Sequence, residues 1–370
     1  MSREVVQVMV LPPVVPDGLP QIFLFEDGIW RDVTVPQVTE NLSSMRTRIE
    51  QHLSTLMANV GRTPPVPVPP QGAGFRTPFR TLYQTLLPID VRNELKRAAD
   101  AAQAAGGPAP LLQIFLSATA EWIPWELLHD GTDFLGLRFS VARLPIVRQQ
   151  TSVRGPRTRT VSAVHSILAS SVLGAMEQAQ WATTFDGFSN VPGWERRSPN
   201  GQNGAGPTLN EIEQAKAAGI VHVTCHGGLR EGQGPFFWTL DHLNPQFYDY
   251  RITADFAESV QFDARPLVFG NACASNATDL GALHGFGSSF MIGGALNFIG
   301  TLAPITKTTA VTFARRFYEE LFGTPATPVA IADALRQAKE RFAAGPPPST
   351  DPSYLFYCLY GPPDTTYKPV

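Results

Sequence analysis

Apolar residues along the chain recur with a period near 3.6 in some stretches and near 2, or in unbroken short runs, in others. From about residue 70 onward the two patterns alternate, as in a mostly parallel sheet with helices on both faces. Strands are expected over residues 21–25, 111–116, 139–147, 161–169, 219–224, 266–270, 295–301 and 354–360. The runs at 266–270 and 295–301 are apolar without alternation, the signature of strands buried on both faces. Helices are expected over 35–60, where Pro36 suits a first turn, and over 90–105, 210–218, 308–322 and 328–342. A short helix over 254–260 is expected to follow Thr253 as its N-cap.

Proline and glycine punctuate this pattern. Residues 62–72, RTPPVPVPPQG, read as an extended linker. The expected organisation is a small N-terminal appendage with its linker over 1–72, a main domain over 73–363, and a tail over 364–370. Residues 184–208 are rich in Gly, Asn, Ser and Pro and read as one long loop. Its functional alternative to a passive surface is a gate, or a cleavage site at Arg196-Arg197.

Length and charge then narrow the class. At about 150 residues per domain, 370 residues make two domains, or one large α/β domain with an appendage. With 43% hydrophobic and 16% charged residues the chain has a globular composition, which excludes disorder as its main state. A net charge of −3 with no basic run argues against a nucleic-acid backbone binder. Three cysteines, Cys225, Cys273 and Cys358, form neither a disulfide framework nor a metal-like spacing, and a reducing cytoplasm is the expected compartment. No secretory signal is read at the N-terminus, and the apolar windows fall short of the about 20 residues a membrane helix needs.

Two strand ends carry chemistry. In HVTCHGG (222–228) a histidine follows a buried strand and precedes two glycines; in LVFGNACAS (267–275) a cysteine follows another. Sites in open parallel sheets lie beyond the carboxyl ends of strands, and the stretch between the two exceeds the about 30 residues of a βαβ unit. His226 and Cys273 are therefore expected to meet. The pair supports thiol acyl transfer: Cys273 attacks a carbonyl as thiolate, and His226 raises the thiolate fraction and protonates the leaving amine. The backbone N–H groups of Gly227 and Cys273 are the expected oxyanion donors. The bland alternative is a core cysteine and a strand-terminal histidine satisfied by backbone.

These segments, with NFIGTLAP (297–304), AEWIPWELLHDGTDFLGL (120–137) and the ending from Asp351-Pro352-Ser353-Tyr354 to Gly361-Pro362, resemble the CHAT-domain family, caspase-like cysteine peptidases related to separase and the metacaspases. The resemblance runs from about residue 75 to 363, about four fifths of the chain. It implies a caspase-like fold, a catalytic dyad of His226 and Cys273, a protein substrate, no cofactor, and an effector role switched on by a partner protein or by proteolysis. A catalytically silent CHAT module acting as an adaptor is the competing expectation. Ala274-Ser275 and Asn271 depart from residues common in relatives, so a preference for basic residues at the cut does not carry over. Asp279 is a candidate wall of a specificity pocket.

Other chemistry-bearing residues read as structural. Alternate side chains of one strand point to opposite faces, so His222, Cys225 and His226 are not all expected to converge on a metal without a distant ligand. Gly285-Phe286-Gly287-Ser288-Ser289 resembles a phosphate loop but has no lysine. Cys225, Cys358, Trp122 and Trp125 are expected in the core, and Phe236-Phe237-Trp238 on an edge hairpin.

Overall fold

The computed structural model describes residues 3–13, 19–33, 42–60, 69–70, 72–146, 157–161, 164–168, 194–197, 215–224, 226–230, 234–238, 251–253, 260–272, 285–322, 328–345 and 351–369. In chain order its strands are β1 (Val5–Leu11), β2 (Gln21–Glu26), β3 (Ile29–Asp32), β4 (Leu111–Leu116), β5 (Ser140–Pro145), β6 (Arg157–Val161), β7 (Val164–Leu168) and β8 (Trp194–Arg197), then β9 (Ile220–Thr224), β10 (His226–Arg230), β11 (Gly234–Trp238), β12 (Arg251–Thr253), β13 (Leu267–Asn271), β14 (Asn297–Thr301), β15 (Tyr357–Tyr360) and β16 (Thr365–Pro369). The helices are α1 (Leu42–Val60), α2 (Ala73–Leu86), α3 (Ile89–Ala104), α4 (Leu135–Arg138), α5 (Phe286–Ile292), α6 (Lys307–Phe322) and α7 (Ile331–Ala343).

Eleven strands form one sheet in the order β3-β2-β1-β4-β5-β15-β14-β13-β9-β7-β8. It is mainly parallel; the antiparallel pairs are β1–β2, β2–β3 and β14–β15. The central strands β9, β13, β14 and β15 are buried at every position, which their unbroken apolar runs require. At the N-terminal end the alternation is cleaner. Val6, Val8 and Val10 of β1 are buried while the residues between them are partly exposed. β1 lies between β2 and β4, so the segment ahead of the proline-rich stretch shares the sheet and core of the main domain. Arg3 reinforces this with a bidentate pair to Asp333 of α7, at 2.9 and 2.7 Å.

Helices cover the middle of the sheet from both sides. Phe290 of α5 stacks on Phe298 of β14, and from the opposite face Phe317 and Tyr318 of α6 pack on Phe269 of β13. Under β5 lies a buried charge cluster. Arg143, with no exposed surface, pairs with Glu126 at 3.0 and 2.5 Å and donates to the carbonyls of Glu121 and Ile123. Lys339 of α7 is buried beside Arg143 and Glu126, and burial lowers its pKa to about 8.

Several expected elements differ in detail. Within the run 161–169, Val164–Leu168 form β7, which joins the large sheet beside β9, while Val161 is the last residue of β6, which pairs with β16 in a sheet of its own. Residues 365–369, within the expected tail 364–370, form β16. Residues 354–360 open as a 3₁₀ turn, Pro352–Phe356, because the Asp351 side chain accepts from the Ser353 N–H at 2.9 Å and caps it; only β15 is strand. Within the expected loop 184–208, Trp194–Arg197 form edge strand β8, which places Arg196 and Arg197 opposite Ser166 and Ile167 of β7. The rest of that loop, Pro36, and the helix expected over 254–260, except Val260, lie outside the described residues.

The buried pair makes a test. Glu126→Ala leaves the Arg143 charge without its partner and is expected to cost about 3–5 kcal/mol. Loss of the exposed Arg315–Glu319 pair through Arg315→Ala is expected to stay within about 0.5 kcal/mol. Chemical denaturation measures both, and similar costs for the two variants would contradict the assignment.

Candidate active site

β9 and β13 lie side by side and parallel, paired from Ile220 opposite Leu267 to Thr224 opposite Asn271. Their carboxyl ends share one edge, where ligands bind in open α/β sheets. One residue past Thr224 stands Cys225, then His226; one residue past Asn271 stands Ala272, then Cys273. The offset between the paired strands is thus the offset between His226 and Cys273. His226 opens β10 opposite Trp238 of β11, with Gly227 opposite Phe237, in the three-stranded sheet β10-β11-β12. Phe236-Phe237-Trp238 accordingly lie on a hairpin strand, and Thr253 ends β12. Cys225, Cys273, Asp279 and the His226 side chain lie outside the described residues.

The described groups around this edge are buried and polar. His222 in β9 has no exposed surface; its ring nitrogens meet the Tyr318 hydroxyl at 2.9 Å and Thr224 Oγ1 at 3.0 Å. Burial lowers its pKa to about 3, so it is a neutral core imidazole with both nitrogens engaged by hydroxyls. Asn271 donates from Nδ2 to the Ala310 carbonyl of α6 at 3.1 Å and accepts from the Tyr357 hydroxyl at 2.7 Å. Its carboxamide is committed to the core. Thr301 at the end of β14 donates to the Ala272 carbonyl at 2.7 Å, directly before Cys273.

Glu121 completes the surroundings. Its carboxylate accepts from the Gly285 N–H at 3.2 Å and from the Ser288 hydroxyl. Burial raises its pKa to about 7 against the opposing pull of those two donors and of Arg143. The resemblance of 285–289 to a phosphate loop thereby has another explanation: the anion at this helix start is an internal carboxylate. Gly287 is there for closeness, since a Cβ would come within 2.6–2.7 Å of the Tyr360 ring. Cys358 is buried, its thiol directed at the Gly300 carbonyl at 3.4 Å, and Trp125 is buried while Trp122 packs at the core margin. A cavity of about 310 Å³ lined by Arg159, Thr160, Gly219 and Arg265, among others, lies at the amino ends of β9 and β13, the edge opposite His226. Among the described residues no helix is long and apolar enough to cross a membrane.

Sequence reasoning does not single out Glu121, Thr301 and Tyr357. Their signal is membership of the quoted segments, but each partner lies between 29 and 167 residues away, beyond the reach of local pattern.

The sheet order and helical layers define a caspase-like α/β fold. Two solved structures share it at 10% identity. Separase from Saccharomyces cerevisiae, in complex with securin, matches with a TM-score of 0.58 over 99% of this chain and 30% of the separase chain. The RgpB pro- and mature-domain complex of Porphyromonas gingivalis matches with a TM-score of 0.51 over 77% of this chain and 71% of that one. The chain thus spans about a third of the separase chain it matches. No curated protein sequence matches. A family model described as the CHAT domain matches residues 76–357, and the chain belongs to that family.

The His222 environment sets a pH dependence. Between pH 6.5 and about 3 the unfolded chain binds a proton at His222 that the folded chain does not. This contribution to stability is complete above pH 6.5 and falls with acidification by up to about 1.4 kcal/mol per unit. Urea midpoints followed from pH 7 to 4 are expected to drop more steeply for the wild type than for His222→Gln. Parallel curves would show that His222 is not held neutral.

Proposed function

We propose that the chain is a cysteine endopeptidase that cleaves a protein substrate through Cys273 and His226, without a cofactor. The supporting observation is the register of β9 and β13, which sends the two chain positions off one sheet edge at the same level, in a chain of the CHAT family.

In this reading the Cys273 thiolate attacks the scissile carbonyl carbon, forming the C–S bond. The tetrahedral oxyanion accepts from the N–H groups of Gly227 and Cys273, and loss of one such donor costs typically about 10²–10³ in rate. Gly227 has no side chain to keep the carbonyl from the backbone. The C–N bond then breaks as the His226 imidazolium gives its proton to the leaving amine. Water, deprotonated by His226, hydrolyses the thioester and restores the thiol. Asp279, six residues past the nucleophile in sequence, is the proposed wall of the specificity pocket.

A protease of this kind inside a cell needs restraint, and the proposed role is an effector activated by a partner protein or by proteolysis. The solved relatives support a protein partner: the separase structure is a complex with securin, and the RgpB structure is a complex of pro- and mature domains.

Mass-spectrometric mapping of products from a peptide library is the test. Wild-type protein is expected to cut at a defined residue class, and Cys273→Ala or His226→Ala to lower turnover by about 10³-fold or more. A folded wild type that cuts nothing, alone or with its genomic neighbours' products added, would favour a silent CHAT adaptor instead.

A further inference from the structure

The cavity of about 310 Å³ at the amino ends of β9 and β13 carries positive charge that no acid of its lining balances. Arg159 of β6 and Arg265 of the turn before β13 line it, with Thr158, Thr160, Gly219 and Ala264, and none of its lining residues is acidic. Lys216 stands against the same turn, its carbonyl accepting from the Ala264 N–H at 3.2 Å. Among the described residues, none of Arg159, Lys216 and Arg265 is in an ion pair. The acid closest in the chain is Asp263, exposed in the same turn and outside the lining. In a chain of net charge −3 this is a local excess of positive charge, and a concave site concentrates the field of such charges.

The fold builds this arrangement from separate elements. Along β6, Val161 is buried while Thr158 and Thr160 are exposed, so alternation puts Arg159 on the inward side with Val161. There Arg159 donates from Nη2 to the Ala264 carbonyl at 3.4 Å, which ties β6 to the turn. The turn is anchored again where the Leu267 N–H donates to the Gly219 carbonyl at 3.1 Å. Arg265 has a φ of 50°, the left-handed region in which glycine or asparagine costs least. Its side chain is exposed, so packing gives the fold no return for an arginine at this position. A ligand contact would supply one.

The donors decide the ligand class. Each guanidinium offers several N–H groups in one plane, and the Thr158 hydroxyl, which accepts from Thr366 Oγ1 at 3.1 Å, keeps its own proton to give. Donors arriving from both β6 and the turn suit a tetrahedral oxyanion, whose oxygens point in different directions, better than a planar carboxylate. The volume is at the small end of the about 300–1,000 Å³ of ligand cavities, and the polar lining disfavours an apolar occupant. We propose that this cavity binds a phosphate group, free or carried on a small molecule, through Arg159 and Arg265. The site lies at the edge of the sheet opposite His226 and does not rest on the peptidase reading.

The full chain is titrated with inorganic phosphate, phenyl phosphate and acetate at constant ionic strength, with isothermal titration calorimetry and the melting temperature as readouts. Phosphate is expected to bind with a dissociation constant of about 1 mM or lower, within the ceiling for so small a ligand, and acetate at least about tenfold more weakly. Phenyl phosphate binding more tightly than phosphate would mark a carried phosphate as the ligand, and equal or weaker binding the free ion. Arg159→Gln is expected to weaken phosphate about tenfold or more, as loss of one charge-assisted contact does. Arg265→Gly is the sharper variant. Relief of the left-handed strain and the greater freedom of the unfolded chain offset each other, so its unliganded melting temperature is expected to stay within about 2 °C of wild type while phosphate affinity falls about tenfold or more. Arg315→Ala, on α6 and outside the lining, is expected to keep wild-type affinity. The absence of saturable heat with either phosphate, together with no melting shift beyond that of sodium chloride at the same ionic strength, overturns the proposal. So does phosphate affinity that Arg159→Gln and Arg265→Gly leave within about twofold of wild type, or acetate that binds as tightly as phosphate. Should Arg159→Gln fail to fold, Arg265→Gly decides.

Discussion

The guanidinium of Arg143 is the point on which the interior turns. It sits without exposed surface on β5 and binds three parts of the 120–128 stretch: the Glu126 carboxylate and the carbonyls of Glu121 and Ile123. A stretch that makes only short 3₁₀ turns has few backbone hydrogen bonds of its own, and in the dry interior its carbonyls need partners. A planar, permanently charged fork is suited to bind several acceptors at once. With that stretch fixed, Trp125 fills the core and Glu121 faces the start of α5. Breaking the cluster therefore reaches the surroundings of the candidate edge as well as general stability.

The second constraint is the pairing of β9 with β13. Parallel neighbours deliver their carboxyl ends to the same side, and their register decides which residues leave the sheet level with one another. A slip of one position would turn Phe269 and His222 to the opposite face. Here Phe269 is locked among Phe317, Tyr318 and Tyr357, and His222 between Tyr318 and Thr224. The aromatic packing of α6 thus maintains the level at which the chain leaves both strands.

What could be read from the sequence came from burial. The strands β4, β9, β13 and β14 and the helices α3, α6 and α7 were legible because each is a compact apolar run or a periodic stripe with clear ends. The division between β6 and β7 was not: an apolar run carries no mark that Val161 and Val164–Leu168 pair with different strands. β8 was hidden by the glycines and prolines around it, and β16 by Gly361-Pro362-Pro363. Of the candidate site, the ends of β9 and β13 ahead of His226 and Cys273 were legible from the buried runs that stop there. Asn271, read from the sequence only as a departure from residues common in relatives, is a core carboxamide. Glu121 looked like one letter of a motif, and its role depends on Gly285 and Ser288, which only the folded chain brings to it.

The position of β15 has a consequence for how the protein is made. In the large sheet, the block from β3 to β5 and the block from β14 to β8 are joined by β15 alone, which pairs with β5 on one side and β14 on the other. β15, at residues 357–360, follows every strand of both blocks in chain order. During synthesis both blocks emerge before the strand that unites them, each with an unpaired edge at the centre of the future sheet, and such edges invite wrong partners. Tyr357, which braces Asn271 beside the candidate nucleophile, arrives on that same strand. A ribosome-bound chain stopped short of it carries His226 and Cys273 but lacks this brace, so translation itself delays completion of the brace on Asn271 until residues 357–360 have been made.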